Sequence, residues 1–93
     1  MAVEQVIDNV AQSRFEVDID GQTCFADYHK DGSRLIVTHV EAPPALRGTG
    51  AAGRLMEGLL DAARTQGLQV SPLCSYAAAY IRRHPEHQDL LAS

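Results

Sequence analysis

With 93 residues the chain has material for one domain around one core. Apolar residues make up 45% and charged residues 22%, as in an ordinary globular protein, and no apolar run approaches the ~20 residues that span a bilayer. A net charge of −4, with one lysine and scattered arginines, excludes a general nucleic-acid binder, and the absence of Trp leaves little for a base-stacking platform.

The start, Met1-Ala2-Val3-Glu4-Gln5, has neither a basic region nor an apolar run. No signal peptide is expected, and a cytoplasmic location follows by default. Cys24 and Cys74 are too few for a disulfide scaffold or a zinc site and are expected as free thiols. The whole chain, 1–93, reads as a single domain without repeats or linkers.

Residues 1–13 carry a mixed signal. Val3, Val6, Ile7 and Val10 fit a helical face, but Asn9 and the β-branched residues favour a short strand or an irregular arm. Residues 14–20 alternate cleanly, with Phe15, Val17 and Ile19 on one face, which predicts a half-buried strand. Asp20-Gly21 predicts a tight hairpin turn, and a strand over 22–29 returns from it. Lys30-Asp31-Gly32-Ser33 reads as the next turn and 34–41 as a further strand, completing an antiparallel meander.

Pro43-Pro44 stops that strand. From Ala52 onward the period becomes helical: Ala52, Leu55, Met56, Leu59, Leu60 and Ala63 share one face. Gly67 is placed to end the helix in a left-handed conformation. Residues 68–73 predict another strand, parallel to 34–41 through the helical crossover. Ser75 is placed to cap a second helix with Ala77, Tyr80, Ile81 and His84 on one face, and Pro85 ends it or opens a last short turn. The class is α+β, a meander followed by α-β-α.

The segment that carries chemistry is Leu46-Arg47-Gly48-Thr49-Gly50-Ala51-Ala52, between a strand end and a helix start. Two glycines let the backbone approach a ligand, and the helix behind supplies unpaired N–H groups and a positive dipole end. Such a turn suits an anion of pyrophosphate type. It has neither the Gly-Lys-Ser/Thr of a nucleotide P-loop nor a Gly-x-Gly-x-x-Gly fingerprint. On glycines alone, a flexible loop before a helix stands beside the anion reading.

Arg47-x-x-Gly50-x-Ala52 resembles the Arg/Gln-x-x-Gly-x-Gly/Ala motif of the GCN5-related N-acetyltransferases. Thr38-His39-Val40-Glu41-Ala42-Pro43, Pro72-Leu73-Cys74-Ser75 and Ala79-Tyr80-Ile81-Arg82-Arg83-His84-Pro85-Glu86 are also similar to the minimal branch of that superfamily. The resemblance covers about residues 14–90. It implies acetyl-CoA as cofactor, its pyrophosphate on the turn and its pantetheine between splayed strands. The positions it gives for coenzyme A are Val40, Leu46, Arg47, Gly48, Thr49, Gly50, Ala51, Ala52, Cys74, Tyr80 and Arg83. Pro72, which cannot donate to a ladder, independently argues for a break in strand pairing there. The extra N-terminal helices that usually shape the acceptor pocket are absent.

For catalysis, Glu41 is a candidate base at the end of its strand, or an exposed carboxylate with no role. His39 shares its face and is a candidate relay, or a packed histidine. Tyr80 is the candidate proton donor to the leaving thiolate, or core packing with a satisfied hydroxyl, and Tyr76 competes for the same role. Cys74, at a helix start that favours thiolate, is either reactive or a small buried residue, whereas Cys24 reads as core. His84 and His87, with Pro85 between them and no third ligand nearby in sequence, do not read as a metal site.

Two functions follow. The first is acetyl transfer from acetyl-CoA to an amine of a small molecule or protein. The second is a coenzyme A-binding regulatory module without efficient transfer. Neither needs nucleic acid or membrane, and a monomer or weak homodimer is expected.

Overall fold

The computed structural model describes residues 5–92. One sheet of five strands runs in the order β1-β2-β3-β4-β5: β1 Ile7–Asn9, β2 Arg14–Ile19, β3 Gln22–Asp31, β4 Arg34–Glu41 and β5 Gln69–Pro72. The first four pair antiparallel and β5 joins β4 in parallel. Helix α1, Ala51–Thr65, makes the crossover, and α2, Ser75–Arg83, follows β5. Short 3-10 turns occupy Val10–Gln12, Pro44–Leu46 and Pro85–Leu90. The expected α+β meander with α-β-α is the fold. Its N-terminal arm resolves as the short strand β1, while Val3 lies outside the described residues.

Alternation accounts for the strands. Phe15, Val17 and Ile19 of β2, Cys24, Ala26 and Tyr28 of β3, and Leu35 and Val37 of β4 are buried on one face. Against them α1 lays Ala51, Leu55, Met56, Leu59, Leu60 and Ala63, and α2 adds Ala77 and Ile81. The two helices share this side and touch each other through Tyr80 and Glu57. The other sheet face carries Arg14, Glu16, Phe25 and Asp27, which are half-buried, and no described helix covers it.

The turns follow from their residues. Asp20 and Gly21 both have positive φ, 52° and 76°, as the favoured two-residue hairpin turn requires. Asp20 therefore belongs to the turn and β2 ends at Ile19. β3 extends to Asp31, two residues past the expected end, because the next turn needs only Gly32 and Ser33. At the end of α1, Gly67 (φ 69°) donates to the Arg64 carbonyl and Leu68 donates to that of Ala63. This double closure satisfies the last carbonyls and uses Leu68 before β5 can begin.

Two expected helix starts are corrected by one residue. α1 begins at Ala51, and it is Ala51, four before Leu55, that is buried. In α2 the cap position is held by Cys74, with no side-chain hydrogen bond, and Ser75 is the first helical residue. At the sheet's first edge, the Tyr28 hydroxyl donates to Asp8 Oδ1 at 2.6 Å and Val6 packs on Gly58 of α1.

Candidate functional site

The site begins with a break in the sheet. β4 and β5 pair only from Arg34↔Gln69 to Val37↔Pro72. Pro72 has no N–H, and the next two amides, of Leu73 and Cys74, both donate to the Val37 carbonyl, at 2.9 and 3.2 Å. Beyond Val37 the two chains part, and the β5-side edge of 38–41 has no strand partner among the described residues. The expected splay is thus a fork at Val37.

A β-bulge lies at the same point. Tyr28 pairs with Val37 and Asp27 with His39, leaving Thr38 as the extra residue. Its hydroxyl donates to the Asp27 carbonyl at 3.4 Å. One extra residue reverses the alternation. Val40 consequently turns toward the helices and packs on the core, while His39 and Glu41 turn to the bare face. His39 Nε2 lies 3.3 Å from Glu41 Oε1, and the His39 ring sits 6.2 Å from that of Phe25.

After β4 the chain runs through Pro43 into the turn Pro44–Leu46, anchored by buried Leu46. Arg47 is extended and exposed, and its Nε donates to the Ala42 carbonyl at 3.3 Å. Gly48 and Gly50 have φ of 81° and 85°, a region that other residues enter only with strain. Thr49 closes the turn: its hydroxyl and its N–H both donate to the Leu46 carbonyl, at 2.5 and 3.2 Å. The first bond of α1 runs from Arg54 N–H to the Gly50 carbonyl. By helix geometry the amides of Gly50, Ala51, Ala52 and Gly53 therefore have no intrahelical acceptor. No acidic residue occupies this first turn, so the positive end of the helix dipole is left uncompensated.

A cleft of about 440 Å³ opens beside the turn, lined by Val40, Ala42, Leu46, Arg47, Gly48, Gly50, Ala51, Ala52, Gly53 and Tyr76. A Cβ added at Gly48 or Gly50 would meet no protein atom within 4 Å, so the backbone fronts open space that a side chain would fill. This donor set, with the Arg47 guanidinium, fits a phosphate group.

Seven of the positions expected to contact coenzyme A thus meet in one cleft: Val40, Leu46, Arg47, Gly48, Gly50, Ala51 and Ala52. Thr49, Cys74, Tyr80 and Arg83 are not in its lining. Thr49 is exposed, with its hydroxyl and its N–H both engaged by the Leu46 carbonyl. Cys74 is half-buried at the α2 cap beside the fork, and Arg83 is exposed at the end of α2. Cys24 is buried in the core, where burial pushes its thiol pKa up.

The Tyr80 hydroxyl is engaged by a residue of α1 that is not in the cleft lining. That group donates to Glu57, and burial, reinforced by this hydrogen bond, drives its pKa far above the usual value. Its ring stacks on His84 at 3.9 Å and 15°. Glu57 also takes a hydrogen bond from His87 Nε2 at 2.9 Å. Burial works to raise the Glu57 pKa, but the hydrogen bonds from Tyr80 and His87 and the nearby imidazoles outweigh it and hold the carboxyl below its ordinary value. Both histidines are therefore spoken for, His87 by Glu57 and His84 by the Tyr80 carbonyl at 2.7 Å.

The phenol that does line the cleft is Tyr76, its own pKa raised chiefly by burial. Sequence reasoning placed it second to Tyr80. It missed Ala42 and Gly53 as lining residues. Gly53 carried a signal, since a glycine inside a helix sacrifices about 1 kcal/mol relative to alanine and so hints at a backbone use.

No curated protein matches the chain. The fold is similar to the NMR solution structure of a Staphylococcus aureus protein described as GCN5-like, with a TM-score of 0.70 and 17% identity, covering 100% of this chain and 92% of that one. A family profile for GCN5-related N-acetyl-transferases matches residues 14–90, the fork, the glycine turn and both helices included. The chain belongs to the GCN5-related N-acetyltransferase family, whose general chemistry is acetyl transfer.

Proposed function

We propose that the protein transfers an acetyl group from acetyl-CoA to a primary amine. The observation that carries this reading is the glycine turn and its unpaired helix amides, opening on a cleft that leads to the fork at Val37. Arg47 and the amides of Gly50, Ala51, Ala52 and Gly53 would hold the pyrophosphate. The unpaired edge of β4 beyond Val37 would take the pantetheine amides. The cofactor, when bound, supplies the acetyl group as an activated thioester.

On the acceptor side, Glu41 stands on the bare face with His39 beside it and is suited to take the proton an attacking amine must lose. Tyr76, in the cleft, and Cys74, at the fork, are the groups suited to return a proton to the departing sulfur. The bulge at Thr38 supports this division: it turns Val40 toward the cleft and Glu41 toward the open side of the sheet.

A specific observation favours a second reading, a coenzyme A-binding module with weak transfer. Glu57, His84 and His87, which do not line the cleft, are bonded to one another or to Tyr80, and no described element walls an acceptor pocket over the bare face. The two readings separate in a thiol-release assay. Wild-type protein with acetyl-CoA and a panel of primary amines should release coenzyme A thiol above the amine-free rate, with the acetylated amine found by mass spectrometry. Tight cofactor binding with no amine-stimulated release would leave the module reading standing.

A further inference from the structure

Gly53 and Glu57 lie four apart on α1 and so share a face of the helix. The Tyr80 ring occupies that face. Its Cε2 lies 3.7 Å from where a Cβ of Gly53 would stand, so the ring is in van der Waals reach of the helix at that position. Gly53 is at once a lining residue of the cleft and part of the first helical turn. The ring therefore packs against the first turn of α1 at Gly53, beside Tyr76 of the cleft lining, whose ring centroid lies 6.3 Å from its own.

Three groups fix that ring. Its hydroxyl donates to Glu57. Its face stacks on His84, and His84 is oriented by Nδ1–H donating to the Tyr80 carbonyl. Glu57 is in turn held by His87, whose Nε2 lies 3.1 and 2.9 Å from its two oxygens. Nε2 must carry the hydrogen, since a carboxylate can only accept. His87 Nδ1 is then left buried with no hydrogen-bond partner among the described residues. An unmade bond of that kind costs stability, so the two Nε2 contacts with Glu57 are the hydrogen bonds this ring makes among the described residues.

We propose that Glu57 and His87 are positioning residues that hold the Tyr80 ring as a prop beneath Gly53, and thereby set the geometry of the coenzyme A turn. The inference rests on the reading of the cleft as the coenzyme A site. It assigns Tyr80 to cofactor affinity and leaves the proton-donor role to the groups that face the cleft and the fork. Each end of the clamp comes from a different segment: Glu57 from α1, Tyr80 from α2, His87 from the turn Pro85–Leu90. The C-terminal turn is thereby coupled to the anion turn through two side chains.

The test combines calorimetric titration of coenzyme A with NMR of the unliganded protein, on wild type, Glu57→Ala, Glu57→Gln, Tyr80→Phe and the double variant Glu57→Ala/Tyr80→Phe. Glu57→Ala and Tyr80→Phe should each weaken coenzyme A binding about fivefold, the worth of one net hydrogen bond. The double variant should be no weaker than either single one, because both release the same ring. Glu57→Gln keeps an acceptor for the tyrosine and should restore most of the affinity. In the unliganded Glu57→Ala protein the Gly53 Hα resonances should lose the ring-current shift from Tyr80. With acetyl-CoA as substrate, the loss should appear in KM more than in kcat.

Losses that add in the double variant overturn the clamp, as do unaltered affinity and unaltered Gly53 resonances in Glu57→Ala. A kcat that collapses in Tyr80→Phe at unchanged coenzyme A affinity would make Tyr80 a catalytic residue instead. If wild type binds no coenzyme A, the reading of the cleft itself fails, which the first titration distinguishes from failure of the clamp.

Discussion

Gly50 and Gly67 bracket α1 with the same backbone sign, φ of 85° and 69°, and at neither would a Cβ meet a protein atom within 4 Å. They separate strain from function. Either Gly→Ala change costs about 1 kcal/mol of stability, from the left-handed conformation alone. Only Gly50 fronts the cleft. Gly50→Ala should therefore lower coenzyme A affinity at least tenfold, whereas Gly67→Ala should lower the melting temperature by a similar amount and leave affinity intact; matched calorimetry and melts check both. Glu41→Gln keeps shape and removes basicity. If Glu41 is the base, amine acetylation should fall by roughly 10²–10⁴-fold at unchanged coenzyme A affinity. An unaltered pH–rate profile would instead assign the proton to water or His39. The two thiols should differ as well: Cys24 is fully buried and Cys74 is half-buried at the fork. Alkylation of the native protein, read by peptide mass spectrometry, should mark Cys74 first, and bound coenzyme A should slow it. These residue roles were only partly legible in the sequence. The glycine turn was legible through the Arg47-x-x-Gly50-x-Ala52 spacing, since two glycines before a helix suit a plain flexible loop equally well. The engagement of the Tyr80 hydroxyl was not, because its partner Glu57 lies 23 residues away on another helix.

At the scale of elements, α1 is shaped by what sits on it at both ends of its exposed faces. Gly58 lies in mid-helix, where Gly→Ala normally stabilises by about 1 kcal/mol. Here a Cβ would collide with the Val6 side chain of the N-terminal arm. Gly58→Ala should therefore destabilise, by about 1–3 kcal/mol, as overpacking does; a raised urea midpoint would show that the arm yields freely. The clamp between the helices has a pH signature. The folded Glu57 pKa is held below its ordinary 4.5, so its contribution is present above that value and is lost as pH falls through the lower folded one. Wild type should lose stability more steeply than Glu57→Gln as pH falls below about 4.5, measured as urea midpoints across that range. Strands and turns were legible because alternation and the Asp20-Gly21 pair encode them locally. The bulge was not, since Thr38 is as good a strand residue as any. Its consequence is large: by simple alternation His39 and Glu41 would fall on the buried face with Leu35 and Val37, and the extra residue sends them to the other side. The cap of α2 was misplaced for a related reason, because the fork draws the Cys74 amide to Val37 and leaves Ser75 inside the helix.

For the whole molecule, the glycine turn, the cleft and the unpaired end of β4 adjoin one another, while a second open pocket of about 560 Å³ lies apart from them, with Glu57, Asp61, Arg64 and His87 in its lining. The sheet's last strand is short and its outer side is partly closed by the bridge between Val70 and Leu91, with the Ala92 amide donating to the Val70 carbonyl at 2.9 Å. The unpaired edge of β4 beyond Val37 is therefore the place where an extended ligand can pair with backbone. No helix is long and apolar enough to cross a membrane among the described residues. The central claim is that the turn, the cleft and this edge bind acetyl-CoA, and a thermal melt tests it most directly, since a ligand that binds only the folded protein must stabilise it. At a hundred times its dissociation constant acetyl-CoA should add about 2.7 kcal/mol, a rise of roughly 10–20 °C for a protein of this size. A melting temperature unmoved by millimolar acetyl-CoA would contradict the account.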